Sequence, residues 1–168
     1  MSATASTEPL RLEPCTGAAG QPAEELRLSY EQRVRSRLVV RLASGCEATI
    51  VKPRGSIMRG GDRLVGTDGR IVQVIAAEEP LLEACSGEAT LLARAAYHLG
   101  NRHVAVEVRA GGLRIARDAV LGALLERLGL EPRTIEAAFE PEGGAYGHTH
   151  AHAPALPLAP LIHEFRGP

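Results

Sequence analysis

Two apolar patterns in the second half of the chain restrict its fold more than any other feature. Leu91, Leu92, Ala95, Ala96 and Leu99 recur at i, i+1, i+4, i+5 and i+8, and Val120, Leu121, Leu124, Leu125 and Leu128 repeat that spacing. Each set forms one stripe on a helix. The first helix should stop at Gly100-Asn101, the residues that best tolerate left-handed geometry. Asp118 is a suitable N-cap for the second, and Gly129 ends it. Between them, Val104-Ala105-Val106-Glu107-Val108 reads as a strand, Gly111-Gly112 as a turn and Leu113-Arg114-Ile115 as a second strand. Pro80 to Cys85 before the first helix and Thr134 to Phe139 after the second complete the order β-α-β-β-α-β, a split βαβ of the ferredoxin-like type. Two helices with one apolar stripe each would then cover one face of a four-stranded sheet.

Upstream, residues 26–76 read as β. Arg37–Leu42, Ala48–Val51, Leu64-Val65 and Ile71–Ile75 are short apolar runs broken by Ser44-Gly45, Pro53-Arg54-Gly55 and Asp68-Gly69. Asp-Gly between β-branched runs predicts a tight type I′ hairpin. The expected fold class is therefore α+β: a small all-β N-terminal domain (26–77), a ferredoxin-like βαββαβ domain (78–142), and a flexible C-terminal tail (143–168) rich in Gly, Pro and Ala. Residues 1–25 read as a polar, flexible leader. The chain has no Trp and only 3% aromatic residues, so both cores must be aliphatic.

Composition also narrows function. A formal net charge of −1 lacks the basic excess of a nucleic-acid binder. No apolar run approaches the roughly 20 residues that span a bilayer, so no membrane partner is expected. Met1–Glu8 has neither a basic end nor an apolar region, unlike a secretory signal. Cys15, Cys46 and Cys85 form no C-x-x-C pair and read as reduced thiols of a cytoplasmic protein. The chain lacks G-x-S-x-G, H-E-x-x-H and a Walker A loop, so an enzyme is not expected.

The histidines point elsewhere. There are six, none before residue 98. Imidazole is the usual ligand for nickel, copper and zinc at neutral pH. His98 falls in the last turn of the first predicted helix, on the flank of its stripe; a ligand there and a plain C-terminal histidine favoured by the helix dipole are both consistent with that place. His103 should open the next strand and so sit on a rigid element. Alone it would read as a hydrogen-bonded surface histidine, but a homodimer axis beside it would bring two copies together. His148, His150 and His152 alternate, so an extended chain turns them to one side. They suit either a tail that wraps an ion held elsewhere or a solvated linker. His163 stands apart and carries no assignment.

Several of these residues resemble the UreE family of urease accessory proteins, which are nickel metallochaperones. The marks are Ala95–His103, with its Tyr97-His98-Leu99-Gly100-Asn101-Arg102-His103 core, and Phe139-Glu140-Pro141-Glu142-Gly143-Gly144-Ala145-Tyr146-Gly147 with the histidines after it. Ser29–Arg33, Pro53-Arg54-Gly55, Gly61-Asp62 and Asp68-Gly69 look like the family's β domain. The resemblance implies a peptide-binding-like β domain, a metal-binding domain that also makes the homodimer, and a role in delivering Ni2+ to urease. It matches His103 to the shared interface ligand and His148, His150 and His152 to additional ligands, with His98 a weaker match. It implies hand-over through the urease accessory GTPase and the apoprotein–accessory complex. Some members carry His-x-His before the second helix; Arg117 and Ala119 stand there in this chain, so no peripheral metal site is expected. Two other readings remain open: a general buffer for zinc, copper or nickel, and a peptide-binding chaperone module with incidental histidines.

Overall fold

A computed structural model describes residues 10–143 apart from Ala18. The N-terminal half forms a six-stranded sheet in the order β2-β6-β5-β1-β4-β3, from β1 (Leu10–Pro14), β2 (Glu24–Leu28), β3 (Arg37–Arg41), β4 (Glu47–Val51), β5 (Arg63–Gly66) and β6 (Ile71–Ala76). Its core follows the two-residue period of a strand. Leu10 and Leu12, Leu26 and Leu28, Leu38 and Val40, Ala48 and Ile50, and Val72 and Val74 all point inward around Leu64 and Met58.

The structure corrects three readings in this half. Residues expected to be a flexible leader supply β1 and the start of β2; Leu12 is wholly buried, and β1 pairs parallel with β4 and antiparallel with β5. Tyr30–Val34 form a short helix, α1, inside the stretch read as β. Ser29 caps it by accepting from the Gln32 N–H while the Gln32 side chain accepts from the Ser29 N–H, a reciprocal capping box. Asp68-Gly69 does turn the chain, but as a three-residue loop closed by Gly66 and Arg70, with only Gly69 left-handed. A type I′ turn would need Asp68 left-handed too. Instead the Asp68 carboxylate holds the Arg70 side chain at 2.7 Å.

The second half has the ferredoxin-like arrangement. A four-stranded antiparallel sheet in the order β10-β7-β9-β8 is built from β7 (Glu78–Cys85), β8 (Glu107–Arg109), β9 (Gly112–Ala116) and β10 (Arg133–Ala138). Helices α2 (Ala89–Gly100) and α3 (Ala119–Arg127) lay their stripes on one face, where Ala95, Leu99, Leu124 and Leu125 meet Leu82, Ala84, Leu113 and Ile115. Asp118 caps α3 by accepting from the Leu121 N–H at 2.9 Å. Gly122 lets that helix close on the sheet, since a Cβ there would stand 3.2 Å from Leu82 Cδ1. Val120 departs from its stripe and is 75% exposed. Strand β8 is shorter than its apolar run, because Val104 and Val106 pack against the core without joining the ladder.

The two halves are joined twice. Only Ala77 separates β6 from β7. After β10 the chain returns as a strap, and Phe139–Pro141 lie against α1 and the Arg59-Gly60 turn of the N-terminal half. Arg33 of α1 is fully buried there. Its guanidinium donates to Met58 O at 3.1 Å and to Phe139 O, and pairs with Glu140 at 3.1 Å. Its Nε finds no acceptor among the described residues. Arg59 and the Gly60 N–H take the same Glu140 carboxylate at 3.1 and 2.7 Å. Tyr30 stacks edge-on against Phe139 with centroids 5.3 Å apart, and its N–H donates to Glu79.

Burial would raise the Glu140 pKa, but the Gly60 N–H, Arg59 and Arg33 outweigh it and hold the group below its ordinary 4.5. The charged form is the one the fold prefers. The clasp's contribution is therefore complete above that value and fades as pH falls through the lowered one. We predict that Glu140→Ala costs about 3 kcal/mol, because it strands a buried guanidinium. Urea titrations at neutral pH and near pH 4 should show the wild type losing stability on acidification more steeply than Glu140→Gln.

Candidate metal centre

The end of α2 carries both described histidines. The helix closes in a Schellman motif: the Val104 N–H returns to Leu99 O at 3.2 Å and the His103 N–H to Gly100 O at 2.9 Å. Val104 and Leu99, the pair this motif brings together, both join the apolar core of the domain. The position that glycine usually fills is occupied by His103, at φ +55. It is the single non-glycine residue among those described with positive φ. Gly100 and Asn101, expected to take the left-handed turn, remain right-handed; Asn101 has φ −62 and ψ −16. His103 therefore sits in the turn, ahead of β8, and does not open a strand.

This conformation costs a non-glycine residue on the order of 1 kcal/mol. It projects the imidazole into solvent, where it makes no hydrogen bond or ion pair with the described residues. His98 is half-buried on the flank of α2, its ring edge-on to Tyr97 with centroids 5.5 Å apart, while its carbonyl accepts from Arg102 at 2.8 Å. Tyr97 itself is 65% exposed. Among the described residues, no three His, Cys, Asp or Glu side chains converge as a metal site would require. His148, His150, His152 and His163 lie outside the described residues.

The root of the histidine-bearing segment is fixed close by in the chain. The Glu142 N–H donates to Val106 O at 2.8 Å, and the Glu140 N–H to Glu107 at 3.1 Å. Val106 is three residues from His103, a span of at most about 10 Å; Glu142 is six residues from His148, a reach of at most about 20 Å. The segment after Gly147 is thus long enough to bring an imidazole to His103. Sequence patterning did not find the part that Glu140, Arg33 and Arg59 play here. The capping box of α1 is legible as Ser29-x-x-Gln32, but nothing in the spacing pairs that short helix with residue 140.

The N-terminal domain carries a separate cleft of about 400 Å³ where β1 and β4 diverge, lined by Pro14, Lys52, Ser56, Met58 and the carboxylates Glu13 and Asp62. Burial lowers the Lys52 pKa. Its ammonium is occupied by Val34 O at 3.2 Å and by Ser56, so it ties the end of α1 to the loop after β4. No described helix is long and apolar enough to cross a membrane.

The chain is thus a two-domain α+β protein whose ferredoxin-like half presents an imidazole on a strained turn and whose β half grips the root of a histidine-bearing tail. Residues 5–77 match the model of the N-terminal domain of the UreE urease accessory protein, and residues 79–164 match that of its C-terminal domain. The chain belongs to the UreE family. Proteins named Urease accessory protein UreE are similar to it. That of Burkholderia thailandensis is 48% identical over 130 residues, 77% of this chain and 61% of the relative. That of Ralstonia nicotianae is 49% identical over 130 residues and covered to 62% of its length. That of Dechloromonas aromatica is 44% identical over 160 residues, covering 85% of this chain and 91% of the relative. The chain spans less than two thirds of the length of the first two.

If the turn demands left-handed geometry, His103→Gly should change stability by less than about 1 kcal/mol, relief of strain offsetting the freer unfolded chain. His103→Val should lose about 1–2 kcal/mol, since a β-branched residue resists positive φ. Urea denaturation of the pair is the check, and equal stabilities would argue that the turn relaxes to suit its occupant.

Proposed function

We propose that this protein is a nickel metallochaperone that delivers Ni2+ for assembly of the urease active site. Nickel is its cargo. The observation that carries the reading is His103: an exposed imidazole without a hydrogen-bond or ion-pair partner among the described residues, held at a positive-φ backbone position, where the described residues form no cluster of three metal-ligating side chains. Its remaining donors must come from a second copy of the chain or from the tail. A homodimer through the ferredoxin-like domain would place two copies of His103 at one axis. The exposed Tyr97, edge-on to His98 on the same helix, suits such a contact. His148, His150 and His152 would complete the sphere, with His98 an auxiliary donor. Ordering a tail costs about 1–2 kcal/mol per residue, so tail ligands bind modestly and release readily, as delivery requires.

The family name supports a place in urease maturation. The implied partners are the urease accessory GTPase and the urease apoprotein–accessory complex, met in the cytoplasm, with no part for nucleic acid or membrane. The protein would act by binding and transfer, with no catalytic step. Zinc and copper compete for imidazole donors, copper more tightly, so selectivity must come from geometry and supply.

Nickel titration calorimetry tests the assignment. His103→Ala should abolish the tightest site, because one substitution removes both fixed imidazoles of a dimer. Ending the chain after Gly147 should weaken that site and lower the stoichiometry while leaving nickel bound. Binding should also weaken as pH falls from about 7.5 to about 5.5, because protons compete for imidazole lone pairs. Loss of all binding on truncation with none lost in His103→Ala would place the whole site in the tail. Sedimentation at micromolar concentration should show a dimer without metal; a monomer under all conditions would remove the shared-histidine geometry.

A further inference from the structure

Strand β3 forms one edge of the N-terminal sheet, and no described strand pairs with its outer side. The bonds at the two ends of the β3–β4 ladder decide which of its backbone groups face outward. The Lys52 N–H donates to Ser36 O at 2.9 Å, and the Leu42 N–H to Cys46 O at 2.9 Å. Bonded and non-bonded residues alternate along an antiparallel pair. With Leu38 opposite Ile50 and Val40 opposite Ala48, the even-numbered residues bond β4. The N–H and C=O groups of Arg37, Val39 and Arg41 therefore point away from the sheet. These three residues also carry their side chains on the solvent face, where Val39 is 59% exposed.

Open edges are commonly blunted by proline, a bulge, an inward charge or outward charges. Strand β3 uses only the last, over five residues in unbroken register. Arg37 and Arg41 make no hydrogen bond or ion pair with the described residues, although Glu47 stands across from Arg41. Arg54, on the turn after β4, is also unpaired among them. At the opposite edge the charges are engaged: Glu24 pairs with Arg70 at 3.1 Å and Arg27 with Glu25 at 3.8 Å.

We propose that β3 is a docking edge for an extended acidic segment of a partner protein, which adds a strand to the sheet. In such an addition the backbone bonds supply affinity and alternate side chains supply selection. Arg37 and Arg41 flank Val39 on one face, so the segment that fits them carries acid, apolar and acid at alternate positions. A second copy of this chain fits poorly. A two-fold axis at Val39 would set Arg37 of each copy opposite Arg41 of the other, and like charges directly opposite are destabilising. The same arginines attract an acidic strand. The inference does not depend on the nickel reading.

Fluorescence anisotropy on the full-length protein is the test. The probe is a labelled peptide, Thr-Glu-Thr-Val-Thr-Glu-Thr, and its control has Lys in place of both Glu. The acidic peptide should bind and the basic one should not. The double variant Arg37→Glu, Arg41→Glu should weaken the acidic peptide about tenfold or more and bind the basic one instead. Val39→Pro removes an N–H that the β3–β4 ladder does not use, so the sheet should hold, by thermal midpoint, while the peptide is lost. If that variant unfolds, N-methylated peptides decide without touching the protein. Methyl groups on one set of alternate amides should abolish binding, and on the other set should leave it. Binding that survives both sets, or that charge reversal does not move, overturns strand addition. Equal binding of the two peptides, or of neither, overturns the acidic selection. A dimer in sedimentation that Val39→Pro dissolves would give the edge to a second copy and overturn the proposal as well.

Discussion

One buried cation makes the two halves of this molecule a single body. A guanidinium cannot be taken out of water without acceptors, and Arg33 draws its acceptors from both halves: Met58 O from the β domain, Phe139 O and Glu140 from the strap. Neither half can satisfy it alone. Such a pair adds little net stability over apolar packing, yet breaking it costs several kcal/mol, because a charge is left buried. It therefore works as a constraint more than as a glue. The strap must return to the N-terminal half, Tyr30 must meet Phe139, and Glu140 must face Arg59 and the Gly60 N–H. The one-residue connection at Ala77 fixes the opposite side of the junction, where its N–H donates to Leu28 O at 2.9 Å. The exit of the tail follows from these contacts.

Legibility of the fold depended on how far apart its partners lie in sequence. The stripes of α2 and α3 are local, and five apolar positions mark each, all but Val120 turned from solvent, so the ferredoxin-like order emerged with its boundaries only slightly displaced. Strand β1 was invisible for the opposite reason. It offers two inward leucines, Leu10 and Leu12, ahead of Pro14, and its justification is parallel pairing with Ala48–Ile50, a contact no local pattern encodes. The five-residue α1 is shorter than the period that would reveal it, although its capping box was written in the sequence. Val104 and Val106 look like a strand because they are apolar and alternate with other residues; their side chains fill the core while their backbone stays out of the ladder.

The candidate site was legible as chemistry and not as geometry. Clustered histidines implied metal donors, and His103 was the natural fixed member. What residue type alone could not convey was that His103 would take the left-handed position of the helix end, with Gly100 and Asn101 both nearby and better suited to it. Local preference and native structure disagree there, and such disagreements concentrate at functional sites because something other than stability maintains them. A glycine would close the same Schellman turn without strain, and it would present no imidazole. The residue that spends stability at this point is also the one exposed histidine among the described residues, and its ring makes no hydrogen bond or ion pair with them. That coincidence of strain and an idle donor is what favours a ligand over a surface histidine, for which any relaxed position nearby would have served as well.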